Sequence, residues 1–520
     1  MTDILSETRV STPSSTTAFD QNVLTAAKGG GIVFAGSLFQ LGNRLVTGVL
    51  LARLLGAEQF GLYNLALTGA GVAVGLASLG LGSALVRYVS LHTSRRDAAG
   101  LWGTLQVGVG LTVLMSLLIG SGLYALATPV AEQLFHEPKL VPLLRLASLI
   151  VPFWALTNAL AAATRGFKKM QYTVAAQDIS QPTIKLVVLV GLAIVAGLTA
   201  AEALTAYGLA QVAACVLLLY FLNNKLFSLK RPLRTAQRNT RDMLSFSLPV
   251  YLSSLVSMFG GNVETVLLGA LNTVTSVGIF AVASQVNMVG KMFHGSVVTA
   301  SMPIVSELHD RGEREQMGRF YQTMSKWTFT LNLPMFLVVL LFPVPILSIF
   351  GQSFISGATA LAILAWANLV NTGTGICGVM IDMTGNTSLK LVNSVVTFAL
   401  TLGLNILLIP TWGLTGAAVA GLASSIMINL LRLLEVFILF RLLPYNLSFV
   451  KPVAAGLVAM AIAWSIHLLF PPGVNLIYTA MNASILLAAY GGIILLLGLS
   501  QEDRTVLARV SRRVAAVLPR

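Results

Sequence analysis

Runs of about twenty apolar residues follow one another along nearly the whole chain, each long enough to cross ~30 Å of hydrocarbon. Inside lipid, backbone amides have no water to bond, so the spanning runs must be helices. Composition agrees: 56% of the residues are hydrophobic and 10% are charged, where a soluble protein carries about 25% charge. The chain therefore reads as an all-α polytopic membrane protein of about fourteen transmembrane helices.

The formal net charge of +14 raises the question of nucleic acid, and the placement of the charge answers it. Arg87, Arg95 and Arg96 fall in one loop and Arg165, Lys168 and Lys169 in another. Lys225, Lys230, Arg231, Arg234, Arg238 and Arg241 crowd a third. Arg311, Arg314, Arg319 and Lys326 follow, then Lys390, then Arg441 and Lys451, then a tail with Arg504, Arg509, Arg512, Arg513 and Arg520. The alternate loops offer little beyond Arg53 and Lys139. Basic loops stay cytoplasmic against the anionic leaflet, which predicts a multi-pass cytoplasmic (inner) membrane protein with both termini inside and no nucleic-acid partner. The two cysteines, Cys215 and Cys377, sit in apolar runs, and the five histidines show no ligand spacing, so no metal or cofactor site is expected.

An internal repeat organises the chain. Gly48-Val49-Leu50-Leu51 is echoed by Thr265-Val266-Leu267-Leu268, and Phe60-Gly61-Leu62-Tyr63 by Val277-Gly278-Ile279-Phe280, at one constant offset. Val89-Ser90 and Val305-Ser306 follow with one residue of slip, each leading into a polar, basic run. A repeat of this kind in a membrane protein implies two similar lobes with a site between them. Residues 1–30 form a polar N-terminal segment expected to be disordered. A first six-helix lobe covers 31–223, a basic linker 224–243 and a second six-helix lobe 244–440. Two additional helices lie in 441–499. The basic tail 500–520 places Leu507, Val510, Val514 and Val517 at helical spacing, which suits a helix on the inner leaflet.

Several motifs then resemble one family in their order along the chain. They begin with Ala52-Arg53-Leu54-Leu55-Gly56 followed by Phe60-Gly61-Leu62-Tyr63, then Arg165-Gly166 and Phe246-Ser247-Leu248-Pro249. Pro303-Ile304-Val305-Ser306-Glu307 and the stretch from Ile409-Pro410-Thr411-Trp412-Gly413 to Ala420 complete the set. From about Lys28 to Lys451 the chain resembles the polysaccharide transporter family, the O-antigen-type flippases of the MOP exporter superfamily. That resemblance implies two six-helix lobes with pseudo-twofold symmetry and alternating access. It also implies movement of a polyprenyl-pyrophosphate-linked oligosaccharide to the outer leaflet for polysaccharide biosynthesis, lipopolysaccharide included. A polysaccharide polymerase and glycosyltransferases are the partners such a role implies. Family members often carry an aspartate in the seventh helix just before a Leu-Gly end; this chain has Glu264 there, a longer arm with the same charge.

A carrier of this kind needs a wet cavity, cations for the phosphates and a sideways opening for the lipid tail. An ionisable residue at mid-membrane costs roughly 2.5–3.5 kcal/mol on insertion scales, so each one is a functional candidate. Arg44 lies in the middle of the first helix, Lys185 in the fifth and Lys291 in the eighth; these are the candidate substrate-binding cations. Glu264 is the candidate anion, either coupling transport to H⁺ or Na⁺ or pairing with a cavity cation. Arg145 reads as interfacial, Arg432 and Glu435 as a pair three residues apart, and Asp382 as a solvated helix end. His294 follows Lys291 by three residues.

Two other functions compete. A multidrug or cation antiporter of the related multidrug-exporter branch needs membrane carboxylates, and the first lobe offers almost none, Asp178 being the nearest. A sugar-joining enzyme needs positioned acids, bases or a metal outside the bilayer. The outward loops are too short for one: the longest, about 128–140, holds only Glu132, His136 and Glu137. No catalytic residues are assigned.

Overall fold

A computed structural model describes residues 15–195, 197–228, 236–469 and 475–498, with side chains from residue 35 onward except at Ser253, Thr387 and His467. The tail 500–520 and the linker residues Lys230, Arg231 and Arg234 lie outside the described residues.

All regular structure among the described residues is helical. Eleven helices are long and apolar enough to cross a membrane. Two of them are pairs joined across one non-helical glycine, Gly56 (φ 69°) and Gly413 (φ 54°). Val274–Asp310 is also of crossing length, and its Lys291, Glu307 and Asp310 lower its hydropathy. The described residues thus hold fourteen crossing segments, as the apolar runs predict. They are α1 (15–55), α2 (57–94, interrupted near Gly80), α3 (Ala98–Ala125), α4 (Leu140–Gly166), α5 (Met170–Val195) and α6 (Ala200–Leu226) in the first lobe. The second lobe holds α7 (Thr240–Leu271), α8 (Val274–Asp310), α9 (Arg314–Leu341), α10 (358–383), α11 (387–412) and α12 (414–440). Two further helices follow, α13 (Val450–Leu469) and α14 (Leu476–Leu496).

Close approaches fix how these segments run. Along α2, Gly61 faces Val274, Gly75 meets Met258 and Gly80 abuts Ser247, so α2 runs antiparallel to α7. Along α1, Arg44 meets Met288 and Gly48 meets Gln285, so α1 runs antiparallel to α8. The chain therefore reverses at Gly56, whose left-handed backbone only glycine adopts without strain. The same reversal occurs in the second repeat at Asn272-Thr273. There Thr273 caps α8, its side chain accepting from the Ser276 N–H at 3.2 Å. These short turns mark one end of the molecule, and the basic loops mark the other.

Between helices in lipid there is no hydrophobic drive to associate; close van der Waals packing and hydrogen bonds do the holding. The packing is unequal at the two ends. At the turn end a single core joins both lobes, with Phe60, Leu62 and Ala66 against Val277, Phe280 and Phe354. The Phe60 and Phe354 rings meet edge to face, 6.0 Å apart. At the basic end the cores separate: one around Leu85, Val89 and Leu218 of the first lobe takes in Met243 at the start of α7, and another around Val305, Tyr321 and Val436 lies within the second lobe. A fourth core packs α13 and α14 on α9 through Leu333, Ala459 and Leu486.

The described part of α1 starts at Ser15, so residues 15–30 are helical where the sequence reading expects disorder. Once a spanning helix is nucleated, each further residue adds a hydrogen bond at little cost. The described end of the linker packs on α3: the Gln237 N–H donates to Ala99 O (3.1 Å) and Arg238 Nε to Gln106 Oε1 (3.0 Å).

Candidate substrate cavity

Two cavities adjoin at Arg44. One, of about 430 Å³, lies between α1 and α8 and is lined by Gln40, Arg44, Ser284, Met288 and Lys291. The other, of about 340 Å³, reaches into the first lobe and is lined by Asn43, Arg44, Asn158, Asp178, Lys185 and Gln211, among others. Arg44, Lys185 and Lys291 thus line adjoining cavities.

The approach of α1 to α8 depends on a glycine. Gln285 Nε2 donates to the Arg44 carbonyl at 2.8 Å, and a Cβ at Gly48 would lie 2.0 Å from that same nitrogen. This bond ties the Arg44 turn to α8 and leaves the guanidinium pointing to the cavities. Its polar contact there is the Met288 sulfur at 2.9 Å, a weak acceptor. Among the described residues no carboxylate comes within 4.0 Å of Arg44, Lys185 or Lys291. Lys185 Nζ lies 5.9 Å from the Tyr207 ring centroid, a cation–π contact. Unpaired cations gathered around a cavity in a low-dielectric interior repel one another and favour entry of an anion.

Asp178 also lines the first-lobe cavity. It sits in a π-helical stretch, Val174–Ser180, within α5. The widened turn brings Gln177 and Asp178 to the cavity, and such bulges recur at functional sites. Gln177 Nε2 donates to Asn158 Oδ1 at 3.3 Å. A period of 3.6 does not reveal a π bulge, so no sequence signal marks this placement.

Glu264 lines neither cavity at Arg44. It lies on α7 against Gly421 of α12, whose missing side chain leaves it room, and the charge of Lys291 acts on it at longer range. Arg145 lies near the start of α4, where it stacks at 5.5 Å on Tyr124 and donates to Thr128 Oγ1. Arg432 and Glu435 do not pair; Glu435 instead accepts from Asn393 Nδ2 at 2.7 Å. Asp382 accepts from Lys390 Nζ at 2.8 Å, joining the end of α10 to α11. His294 lines a second-lobe pocket with Arg432, apart from the Lys291 cavity.

The turn end is closed by backbone. A Cβ at Gly61 would lie 2.0 Å from Val274 O, and one at Gly278 would lie 2.0 Å from Ala57 O. The repeat aligns Gly61 with Gly278 and Ala57 with Val274, so the two contacts are reciprocal. Nearby, Arg53 Nε donates to Ile349 O at 2.7 Å, also across the lobes.

Two helical lobes, a cavity between them and a closure at one end define a fold of the kind that multi-pass membrane transporters have. The fold is that of MOP-superfamily proteins. It superposes on the lipid II flippase MurJ in an inward closed conformation with TM-score 0.71 at 13% identity, covering 90% of this chain and 98% of that one. An inward-facing multidrug resistance MATE family transporter of the MOP superfamily gives 0.64 at 17% identity, over 77% and 93% of the two chains. The polysaccharide biosynthesis protein family matches residues 26–309, more than half of the chain, and the chain belongs to that family. The MatE family also matches, over residues 249–411. A probable low-salt glycan biosynthesis flippase of Haloferax volcanii, Agl15, is 27% identical over 194 residues, which is 37% of this chain. The match spans 40% of that relative's length.

Proposed function

We propose that this transporter flips a polyprenyl-pyrophosphate-linked oligosaccharide across the cytoplasmic membrane by alternating access, as a step in polysaccharide biosynthesis. The observation that carries the reading is the group of three cations, Arg44, Lys185 and Lys291, around adjoining cavities with no contact carboxylate among the described residues. A pyrophosphate leaving water needs replacement partners. The arginine fork meets phosphate oxygens in pairs, and each lysine supplies a mobile point charge. Asn43, Asn158 and Gln211 add amides suited to sugar hydroxyls. The glycan-flippase relative supports the same substrate class. In this reading both termini and the basic loops face the cytoplasm, the turn end faces outward, and Glu264 binds or exchanges H⁺ or Na⁺ during the cycle. A polymerase and glycosyltransferases act before and after the flip.

The MatE match over the second lobe favours one alternative, a multidrug or cation antiporter. Proteoliposomes separate the two. Reconstituted protein should move a labelled polyprenyl-pyrophosphate oligosaccharide between leaflets and leave cationic dyes where they are. Dye efflux driven by an ion gradient, with no movement of the lipid-linked sugar, would replace the flippase reading by the antiporter.

A further inference from the structure

The second lobe holds a polar pocket of about 260 Å³ that the flip of a phosphate does not require. It lies between α8, α10, α11 and α12. Arg432 lines it and makes no hydrogen bond or ion pair among the described residues. Asn393 also lines it and is 3% exposed. Its Nδ2 is committed to Glu435, which fixes the amide orientation, and its buried Oδ1 has no partner. His294 Nδ1 is likewise buried and unpartnered. Two other wall residues are already engaged. Lys390 is held by Asp382, and Asn429 accepts from Thr374 Oγ1 (2.8 Å) and donates to Ser425 O (2.8 Å).

The unmet groups specify a ligand. Arg432 asks for an anion, and its planar fork matches a carboxylate. Asn393 Oδ1 is an acceptor that only a donor can satisfy, and His294 Nδ1 takes a hydroxyl in either role. Leaving such groups unmade in a buried site costs roughly 1–3 kcal/mol each. An ionised phosphate brings no donor for Asn393 Oδ1. A hydroxylated monocarboxylate supplies both needs. The volume suits one small ligand such as a single sugar ring. His294 stands one turn from Lys291 on α8, about 4.5 Å along the axis. Lys390 and Ser394 also line a larger cavity, of about 750 Å³, beside α7.

We infer that this pocket binds an acidic sugar unit, a hexuronate, with its carboxylate on Arg432 and its ring hydroxyls on Asn393 Oδ1 and His294 Nδ1. The inference rests on the flippase reading and adds the class of sugar: an oligosaccharide carrying uronic acid, its pyrophosphate at Arg44 and an acidic residue in the second lobe.

The test is binding to the purified full-length protein in detergent, followed by saturation-transfer NMR with methyl glucuronide, methyl glucoside and inorganic phosphate as probes. Methyl glucuronide should bind at least tenfold tighter than either other probe. Arg432→Gln should weaken it at least tenfold, and Arg432→Lys, which keeps the charge and loses the fork, by less. Equal binding of glucoside, full competition by phosphate, or wild-type affinity in a folded Arg432→Gln would overturn the assignment. If Arg432→Gln does not fold, the selectivity of the wild-type protein decides alone. Glucuronide binding by a protein that flips no lipid-linked glycan in vesicles would uphold the pocket and reject the flippase reading.

Discussion

The reciprocal glycine contact at the turn end makes a quantitative prediction about alternating access. In Gly61→Ala the new Cβ would sit 2.0 Å from Val274 O, where ordinary contact begins at 3.4 Å. Both partners are main-chain atoms of helices, so no side chain can rotate away, and α2 and α8 must part by about an ångström. Overpacking of this kind costs ~1–3 kcal/mol. If the cycle opens the cavity at this end, that cost falls on the closed state alone. The equilibrium then moves toward the open state by roughly 5- to 150-fold. Gly278→Ala should shift it by a similar amount, since its Cβ meets Ala57 O at the same distance. The double variant should shift it by less than the sum, because one separation relieves both clashes. Gly42→Ala on α1 is the control, with no atom within 4 Å of its Cβ. The assay is electron–electron double resonance between spin labels at Glu58 and Thr275, both exposed, in a background lacking Cys215 and Cys377. A longer-distance population should grow in Gly61→Ala and not in Gly42→Ala. An unchanged distribution in a folded Gly61→Ala would refute the account of the turn end as the moving closure.

Three other predictions follow from single sites. Glu264→Gln should abolish the dependence of transport on pH or Na⁺ while the protein still inserts; full transport with unchanged ion dependence excludes the coupling role. At the basic end Asp97 caps α3, accepting from the Gly100 N–H (2.9 Å), and faces His92 Nδ1 (2.8 Å). The Gly100 amide, with His92 beside it, holds its carboxyl below the usual range. That stability is therefore present above about pH 4 and lost as pH falls through the folded value. Asp97→Ala should cost ~1 kcal/mol at neutral pH, read as a lower melting temperature in detergent, and the difference should vanish on acidification; a pH-independent difference would contradict the linkage. For orientation, a cysteine at Lys139 should react with an impermeant maleimide on intact cells and one at Lys168 should not, whereas the reverse pattern inverts the topology.

The helices and the repeat were legible because insertion into lipid imposes length and apolarity on every span. The repeat was informative beyond its grease: its aligned glycines, Gly61 and Gly278, make reciprocal backbone contacts between the lobes at the turn end. Depth in an apolar run marks Arg44, Lys185 and Lys291 as candidates, since burying a charge there is costly, and all three line the adjoining cavities. Direction within the helix was less legible. Spacing pairs Arg432 with Glu435, yet an amide on another helix, Asn393, takes the carboxylate. The π bulge that delivers Asp178 and the Gly48 notch that admits Gln285 depend on neighbours far along the chain, and local pattern does not encode them.

The central claim is that the cations at the lobe interface hold a pyrophosphate. It is tested most directly by native mass spectrometry of lipid binding, comparing polyprenyl pyrophosphate, polyprenyl monophosphate and the uncharged polyprenol. The wild-type protein should retain the pyrophosphate most strongly. Arg44→Ala should lose it by at least tenfold, about 1.4 kcal/mol, with Arg44→Lys recovering part and the melting temperature little changed. Equal retention of pyrophosphate by wild type and Arg44→Ala, or equal retention of all three lipids, would contradict the account.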